Sequence, residues 1–330
     1  MRLAAVLWVT ASWIPALLGV GPALGATASP PVIRILEPSA GTLVAAYPVL
    51  IRGTVTPPDP DLRVTVNTWP TLMLPDGQWA TLEELAPGTH ELVVEGRARG
   101  AVVSRTVQRV TVLGPAPTRW PLPLRGGAQW AGLGMDRAVP VGTAPFDWTF
   151  RLTWWEGVTE GELDPEGDGR LSRHLRGGEG YTHRFPTPGL YAPRLRYTDP
   201  GGRVVTQQGL VLVFDRAWLE PILRAQWQAF VTALAQNDLA TAAGLVEITR
   251  RENFEPWRAL LSPQQWQRVA AFFSARPLGW VGLHGYLATF QLGSESEEIG
   301  IEFTPDQGDG RWRYYLRDAL LLGAVLATEH

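Results

Sequence analysis

Three carboxylates alternate in one short turn: Asp164, Glu166 and Asp168, spaced by Pro165 and Gly167 and followed by Gly169. Carboxylates alternating with small residues can wrap a hard cation, because calcium takes roughly six to eight oxygen ligands near 2.4 Å. The turn is therefore a candidate calcium site. A helix-flanked calcium loop also needs a bidentate Glu further along. Here Arg170 and Arg173 follow instead, and Glu179 is distant. The competing reading is a β-turn whose Asp side chains bond their own backbone.

Other chemistry is sparse. The histidines are His90, His174, His183, His284 and His330, with no His-x-His pair, and cysteine is absent. Transition-metal ligand sets of familiar spacing are thereby missing. His284 lies between Leu283 and Gly285 in a strand-like run. A general base there needs a carboxylate partner, and Asp238 and Glu302 are the candidates. Asp238 also reads as a helix cap. Glu302 should point outward if Ile301 and Phe303 face the core. No Gly-x-Ser-x-Gly elbow occurs, which removes the usual hydrolase nucleophile turn. Lysine is absent, so a phosphate-binding loop with its Lys is excluded. Carboxylate pairs for glycoside hydrolysis are spatial and stay open.

All 29 basic residues are Arg, against 32 acids, and the arginines are scattered. A nucleic-acid surface needs clustered positive charge, so that class is set aside. The lack of Lys reads as a codon-composition bias. The 28 Pro, 35 Gly and 15 Trp fit β-rich modules with many tight turns. Most tryptophans should be packing residues; a sugar-stacking platform is the functional alternative. Trp154 and Trp155 are adjacent, so at most one of the pair can stack outward from a strand.

Residues 1–26 have the order of a secretory signal peptide: Arg2, an apolar run over 3–20, then small residues at 23–26. An uncleaved membrane anchor is the alternative, since the run is about long enough to span. No later segment is apolar enough to span, so the mature chain is expected outside the cytoplasm without a membrane span. With no cysteine, its domains must be held by core burial.

From residue 32 the chain alternates in short strands with turn signals roughly every eight to twelve residues, as a β-sandwich does. The strings Ile33-x-Ile35-x-x-Pro38-x-x-Gly41, Ile51-x-Gly53-x-Val55, Val64-x-Val66-Asn67, Asp76-Gly77-x-Trp79 and Leu85-x-x-Gly88-x-His90-x-Leu92-x-Val94 follow in order. They resemble bacterial immunoglobulin-like repeats of surface proteins over residues 31–114. The resemblance implies a sandwich whose Leu-x-x-Gly turn opens the penultimate hairpin. Residues 114–123 are a Pro-rich joint expected to hold the flanking domains apart.

Residues 119–214 carry Gly142-Thr143-Ala144-Pro145, the acidic turn with Asp168-Gly169, and His183-Arg184-Phe185-x-x-Pro188-Gly189-x-Tyr191. This series is similar to the polycystic kidney disease (PKD) domain, with Leu163 where that family has Trp and Phe185 as the hairpin aromatic. The resemblance implies a second sandwich and a structural role for His183.

After Asp215 the apolar period becomes helical, through Trp218, Leu223, Trp227, Phe230 and Leu234. Asp238 and Ser262 each precede a further helical stretch, Glu252 begins another, and four strands follow. Helices then strands give α+β. The string Trp227-x-x-Phe230-x-x-Ala233-Leu234-x-x-Asn237-Asp238, with Gly310-x-Trp312-Arg313 at the end, resembles cone-shaped nuclear transport factor 2-like domains over residues 216–330. That resemblance implies a long helix packed in a curved sheet. The fold class expected is thus two all-β immunoglobulin-like sandwiches followed by a small α+β domain.

Together these readings give an exported, non-enzymatic binding or display protein. The sandwiches act as spacer and the C-terminal domain as candidate site for a protein or glycan partner at the cell envelope. The rivals are a carbohydrate-binding or adhesion accessory protein, and weak catalysis in the C-terminal cavity.

Overall fold

The computed structural model describes residues 31–45, 48–59, 62–98, 101–113, 139–151, 159–170, 173–177, 179–199, 201–284, 287–293, 299–305, 312–317, 321, 324–325 and 327. The signal-peptide segment 1–26, the Pro-rich joint 114–123, Trp154, Trp155 and the turn at 308–310 lie outside them.

Nine strands build the first sandwich: β1 (Val32–Glu37), β2 (Leu43–Val44), β3 (Val49–Thr56), β4 (Leu62–Val66), β5 (Trp69–Pro70), β6 (Leu72–Met73), β7 (Gln78–Glu83), β8 (Gly88–Ala98) and β9 (Ala101–Val112). One sheet runs β1-β3-β7-β6 and the other β2-β9-β8-β4-β5. Alternation puts Ile33, Ile51, Val55 and Trp79 of the first sheet against Val64, Leu92, Val94 and Val110 of the second. Trp79 replaces the missing disulfide as a pin. It lies directly across β3 from Gly53, where a Cβ would come within 2.4 Å of the indole. The Leu85-x-x-Gly88 stretch leads into β8, which pairs with β9 from Gly88↔Val112 to Ala98↔Ala101 as the last hairpin of the sandwich rather than the penultimate one.

The second sandwich uses β10 (Val141–Thr143), β11 (Phe146–Arg151), β12 (Glu160–Asp164), β13 (Arg173–Arg176), β14 (Gly180–Phe185), β15 (Gly189–Tyr191), β16 (Arg194–Thr198), β17 (Val204–Gln208) and β18 (Val211–Phe214). One sheet is β13-β12-β16-β17; facing it are the β10-β18-β15 and β11-β14 ladders. Phe150, Leu163, Phe185, Leu195, Tyr197, Val211 and Val213 fill the space between. The Pro-Gly stretch between Phe185 and Tyr191 is not the hairpin expected from sequence. β14 pairs with β11 and β15 with β18, so Pro186 to Pro188 carries the chain between ladders. The rings of Phe185 and Tyr191 still meet at 4.6 Å.

Asp215 ends the sandwich and caps α1 (Arg216–Ala235) by accepting from the Ala217 N–H. Then come α2 (Leu239–Leu245), α3 (Arg251–Leu260) and α4 (Pro263–Ser274). Asp238 caps α2, and Ser262 with Gln265 forms a capping box on α4, at the positions the sequence marks. An antiparallel sheet follows in the order β19 (Leu278–His284), β20 (Leu287–Leu292), β21 (Ile299–Pro305) and β22 (Trp312–Tyr314). Among the described residues no helix is long and apolar enough to cross a membrane.

The parts are not held apart. β18 is buried along its whole length. Its Val211 and Val213 belong to the second sandwich's core, while Leu212 and Phe214 point the other way, into the core of the helical region. Strands buried on both faces read as unbroken apolar runs, and Val211-Leu212-Val213-Phe214 is one. β3 does the same: Leu50, with Ala80 of β7, turns away from its own sandwich and joins that larger core. Phe214 stacks on Trp218 at 6.2 Å and meets Trp312 edge-on at 5.9 Å. Residues 31–330 accordingly form one compact unit. The spacer expected from the Pro-rich joint is overturned, because outward-facing strand residues supply a shared core.

Candidate functional site

The acidic turn is built from its own backbone. Asp164, almost wholly buried at the end of β12, accepts from the Gly167 N–H at 2.7 Å and the Gly169 N–H at 2.8 Å. Asp168 accepts from the Arg170 N–H at 2.9 Å. Glu166 leaves the turn to meet His183 Nε2 at 3.0 Å. Gly167 has φ +76°, and a Cβ there would fall 2.0 Å from the Ala192 carbonyl oxygen. The three carboxylates therefore bond in three directions. Among the described residues no group of three His, Asp or Glu side chains converges as a metal site would require. His183 packs edge-on against Phe185 at 4.7 Å, tying the turn to β14.

The interior of the helical region is occupied by rings. Trp227 on α1 meets Phe230 at 5.6 Å, Phe273 of α4 at 5.2 Å and Tyr314 of β22 at 5.3 Å. Phe230 meets Tyr314 at 5.0 Å, and Phe290 and Phe303 continue the layer across the sheet. Of the candidate acid–base residues, Asp238 and Glu302 have side chains among the described residues, and both are engaged elsewhere. Asp238 is committed to its cap, accepting from the Thr241 N–H at 3.1 Å and its hydroxyl at 2.6 Å. That pair of bonds holds its carboxyl below the usual range. His284 pairs through its backbone with Leu287 at the end of β19, and its side chain lies outside the described residues.

Glu302 corrects an expectation. It is off the Ile301 and Phe303 face, as alternation requires, but it is only 7 % exposed. Arg317 folds over it and donates from Nε to Oε2 at 2.7 Å and from its terminal nitrogen to Oε1. Burial first, and the Glu302 charge second, push the Tyr314 hydroxyl far above its usual range.

Two clefts lie among the described residues. A cleft of about 410 Å³ runs beside α1, floored by Trp227, Val231 and Phe273 and rimmed by Arg224, Gln228 and Arg276. Arg224 is held by Glu220 at 2.6 Å, and both Arg224 and Arg216 lower the Glu220 carboxyl against its partial burial. A second cleft, about 510 Å³, lies where the sandwiches meet, between Leu36, Glu37 and Leu43 on one side and Arg194, Thr206 and Gln208 on the other. Glu37 bridges the junction, pairing with Arg52 at 2.9 Å and Arg194 at 3.3 Å.

Sequence reasoning missed this junction, because its partners are some 157 residues apart in the chain. The polar pair Gln207-Gln208, one glycine before the apolar run 210–214, was its one signal. Trp69 was also missed. It is 63 % exposed and follows a turn in which Asn67 and Thr68 have φ +47° and +77°. Thr rarely adopts that region, and holding it there costs roughly 1–3 kcal/mol. Asn67 offsets part of this by accepting from the Val93 N–H at 3.0 Å.

No protein-family model matches the chain, and no curated protein matches it. Solved structures do. The fibronectin(III)-like modules of Clostridium thermocellum CbhA match at 14 % identity over 56 % of this chain and 94 % of theirs, with a TM-score of 0.20. The SGBP-B protein of a Bacteroides ovatus mixed-linkage glucan utilization locus, solved with a heptasaccharide, matches at 16 % over 55 % of this chain and 47 % of its own, at 0.18. Domains 6–7 of the surface layer protein SbsC match at 5 % identity over 56 % and 98 %, at 0.20. The chain is similar to these at the level of β-sandwich modules only.

Proposed function

We propose that the protein is an exported, non-enzymatic binding or display protein, with the cleft beside α1 as its ligand or partner site. The observation that carries the reading is the aromatic packing of the described interior of the helical region, with a cleft over Trp227, Val231 and Phe273 on its outside. The export step rests on the signal-like segment 1–26. We read the second sandwich as PKD-like, on its acidic turn and the Phe185–Tyr191 contact. The helical region we read as nuclear transport factor 2-like, on α1 packed against a four-stranded antiparallel sheet.

The test is a small-molecule and peptide screen on the full mature chain by thermal shift, repeated on Ala225→Trp. Ala225 is an exposed residue of the cleft wall. Ligands should raise the melting temperature of the parent and not of the variant. Ligands that act equally on both would place the site elsewhere, and substrate turnover by the parent would overturn the non-enzymatic reading.

One observation favours a second reading, a carbohydrate-binding accessory protein: Trp69, presented on a strained turn at the sandwich edge. Stacked aromatics serve pyranose faces as they serve other rings of apolar character. Retardation in glucan-containing gels, lost in Trp69→Ala, would support it; unchanged mobility of the parent would remove it.

A further inference from the structure

The cleft beside α1 joins an apolar floor to a cationic wall. Trp227, Val231, Phe273 and Leu278 form the floor, Arg224 and Arg276 stand on the wall, and among the described residues that line the cleft none is acidic. Arg224 keeps 41 % of its side-chain surface open to solvent. Its Nε and one terminal nitrogen donate to Glu220 Oε1 at 2.9 and 2.6 Å, and the other terminal nitrogen donates to the Leu278 carbonyl. A guanidinium has five N–H groups. Two therefore remain on a side chain that is already held in place.

Charge is unbalanced at the same spot. Glu220 also accepts from Arg216, at 2.8 Å. One carboxylate between two guanidiniums leaves that trio with a single positive charge in excess. Arg276, just beyond the end of α4, is fixed as well. It lies over the Phe272 ring at 3.6 Å from the centroid and donates to the Phe272 carbonyl at 3.1 Å.

We infer, on the reading of this cleft as the ligand site, that its ligand is a small organic carboxylate. The carboxylate meets Arg224 with Arg276 beside it, and an apolar body lies over Trp227 and Phe273. One excess positive charge matches one negative charge, and a planar guanidinium suits a carboxylate in shape. Because Arg224 is already positioned, binding costs little of its side-chain freedom. The volume of about 410 Å³ lies in the range that small molecules fill, roughly 300–1,000 Å³. It takes a single small molecule and not the face of a folded partner.

The test is titration calorimetry on the full mature chain with octanoate and with octan-1-ol, which shares the apolar chain and lacks the charge. Octanoate should bind at least about tenfold more tightly, the worth of one hydrogen bond to a charged group. Arg224→Gln should remove that preference and leave the weaker octan-1-ol binding as it is. Arg276→Gln, which leaves the Glu220 contacts intact, is the second variant and should weaken octanoate selectively too. Ala225→Trp should abolish binding of both probes. Equal binding of the two probes, lost in Ala225→Trp, would overturn the carboxylate and leave the cleft standing as the ligand site. Octanoate binding that survives Ala225→Trp would overturn both. A loss shared equally by octanoate and octan-1-ol in the two Gln variants would make the arginines packing groups and overturn the inference. So would the absence of binding by either probe, with the cleft itself then judged on the ligands of the wider screen.

Discussion

The backbone N–H of Leu50 donates to the side-chain oxygen of Gln208 at 3.3 Å, between two sandwiches and across 158 positions of chain. Both residues are buried, and Leu50 is a member of the core that all three parts share. A polar bond at that place fixes the register of one sandwich on the other, which apolar contact alone leaves loose. Gln208→Ala would strand the Leu50 N–H without water, at a cost of roughly 1–3 kcal/mol. Urea unfolding should show a lowered midpoint with unchanged slope, still in one transition. A split transition would mean the sandwiches unfold independently.

Phe214→Ala tests the shared strand. It removes a ring buried against Trp218 and Trp312 and leaves a cavity between cores, so the expected loss is about 3–5 kcal/mol. Calorimetry should register it as a lower melting temperature of the whole described unit, not of the helical region alone.

Asp164→Ala should destabilise the second sandwich by about 2 kcal/mol, because it removes a charged acceptor from two backbone N–H groups. With its carboxylate already committed to Gly167 and Gly169, millimolar calcium should leave the parent's melting temperature unchanged. A calcium-dependent rise, lost in Asp164→Ala, would restore the metal site at Asp164, Glu166 and Asp168.

Alkaline stability should depend on Tyr314. Its folded phenol titrates well above the ordinary value of 10.0, chiefly through burial. The unfolded chain therefore loses the proton first. The stabilisation is fully present below about pH 10 and is lost as pH rises beyond it, at up to roughly 1.4 kcal/mol per pH unit from this group. Tyr314→Phe should flatten that slope in chemical denaturation between about pH 10 and pH 11. An unchanged slope would show that Tyr314 is not its source.

Much of this fold is legible in local sequence. Ser262 and Asp238 mark helix starts because a cap needs only its own next turn. Strands β3, β4, β8 and β9 follow from period-two alternation. What is not legible is which side of a strand is truly outside. Leu50, Leu212 and Phe214 look like the outward half of an alternation, and Glu302 like a solvated carboxylate. Each is buried by a part of the chain far away in sequence. The candidate site suffers for the same reason: the acidic turn is local and readable, whereas the junction of Glu37, Arg194 and Gln208 exists only after distant parts have met.

The shared strand also sets a timetable. A ribosome delivers Leu50 and Ala80 well before Gln208 and Phe214, and at the usual pace of synthesis the gap is on the order of 10 s. Through that interval the back of the β3–β7 sheet has no cover. A nascent chain with a bare apolar sheet face is a substrate for holding chaperones, and a truncated one is an aggregation hazard. The second sandwich therefore ends the vulnerable period of the first, and the region after Asp215 in turn ends that of β18.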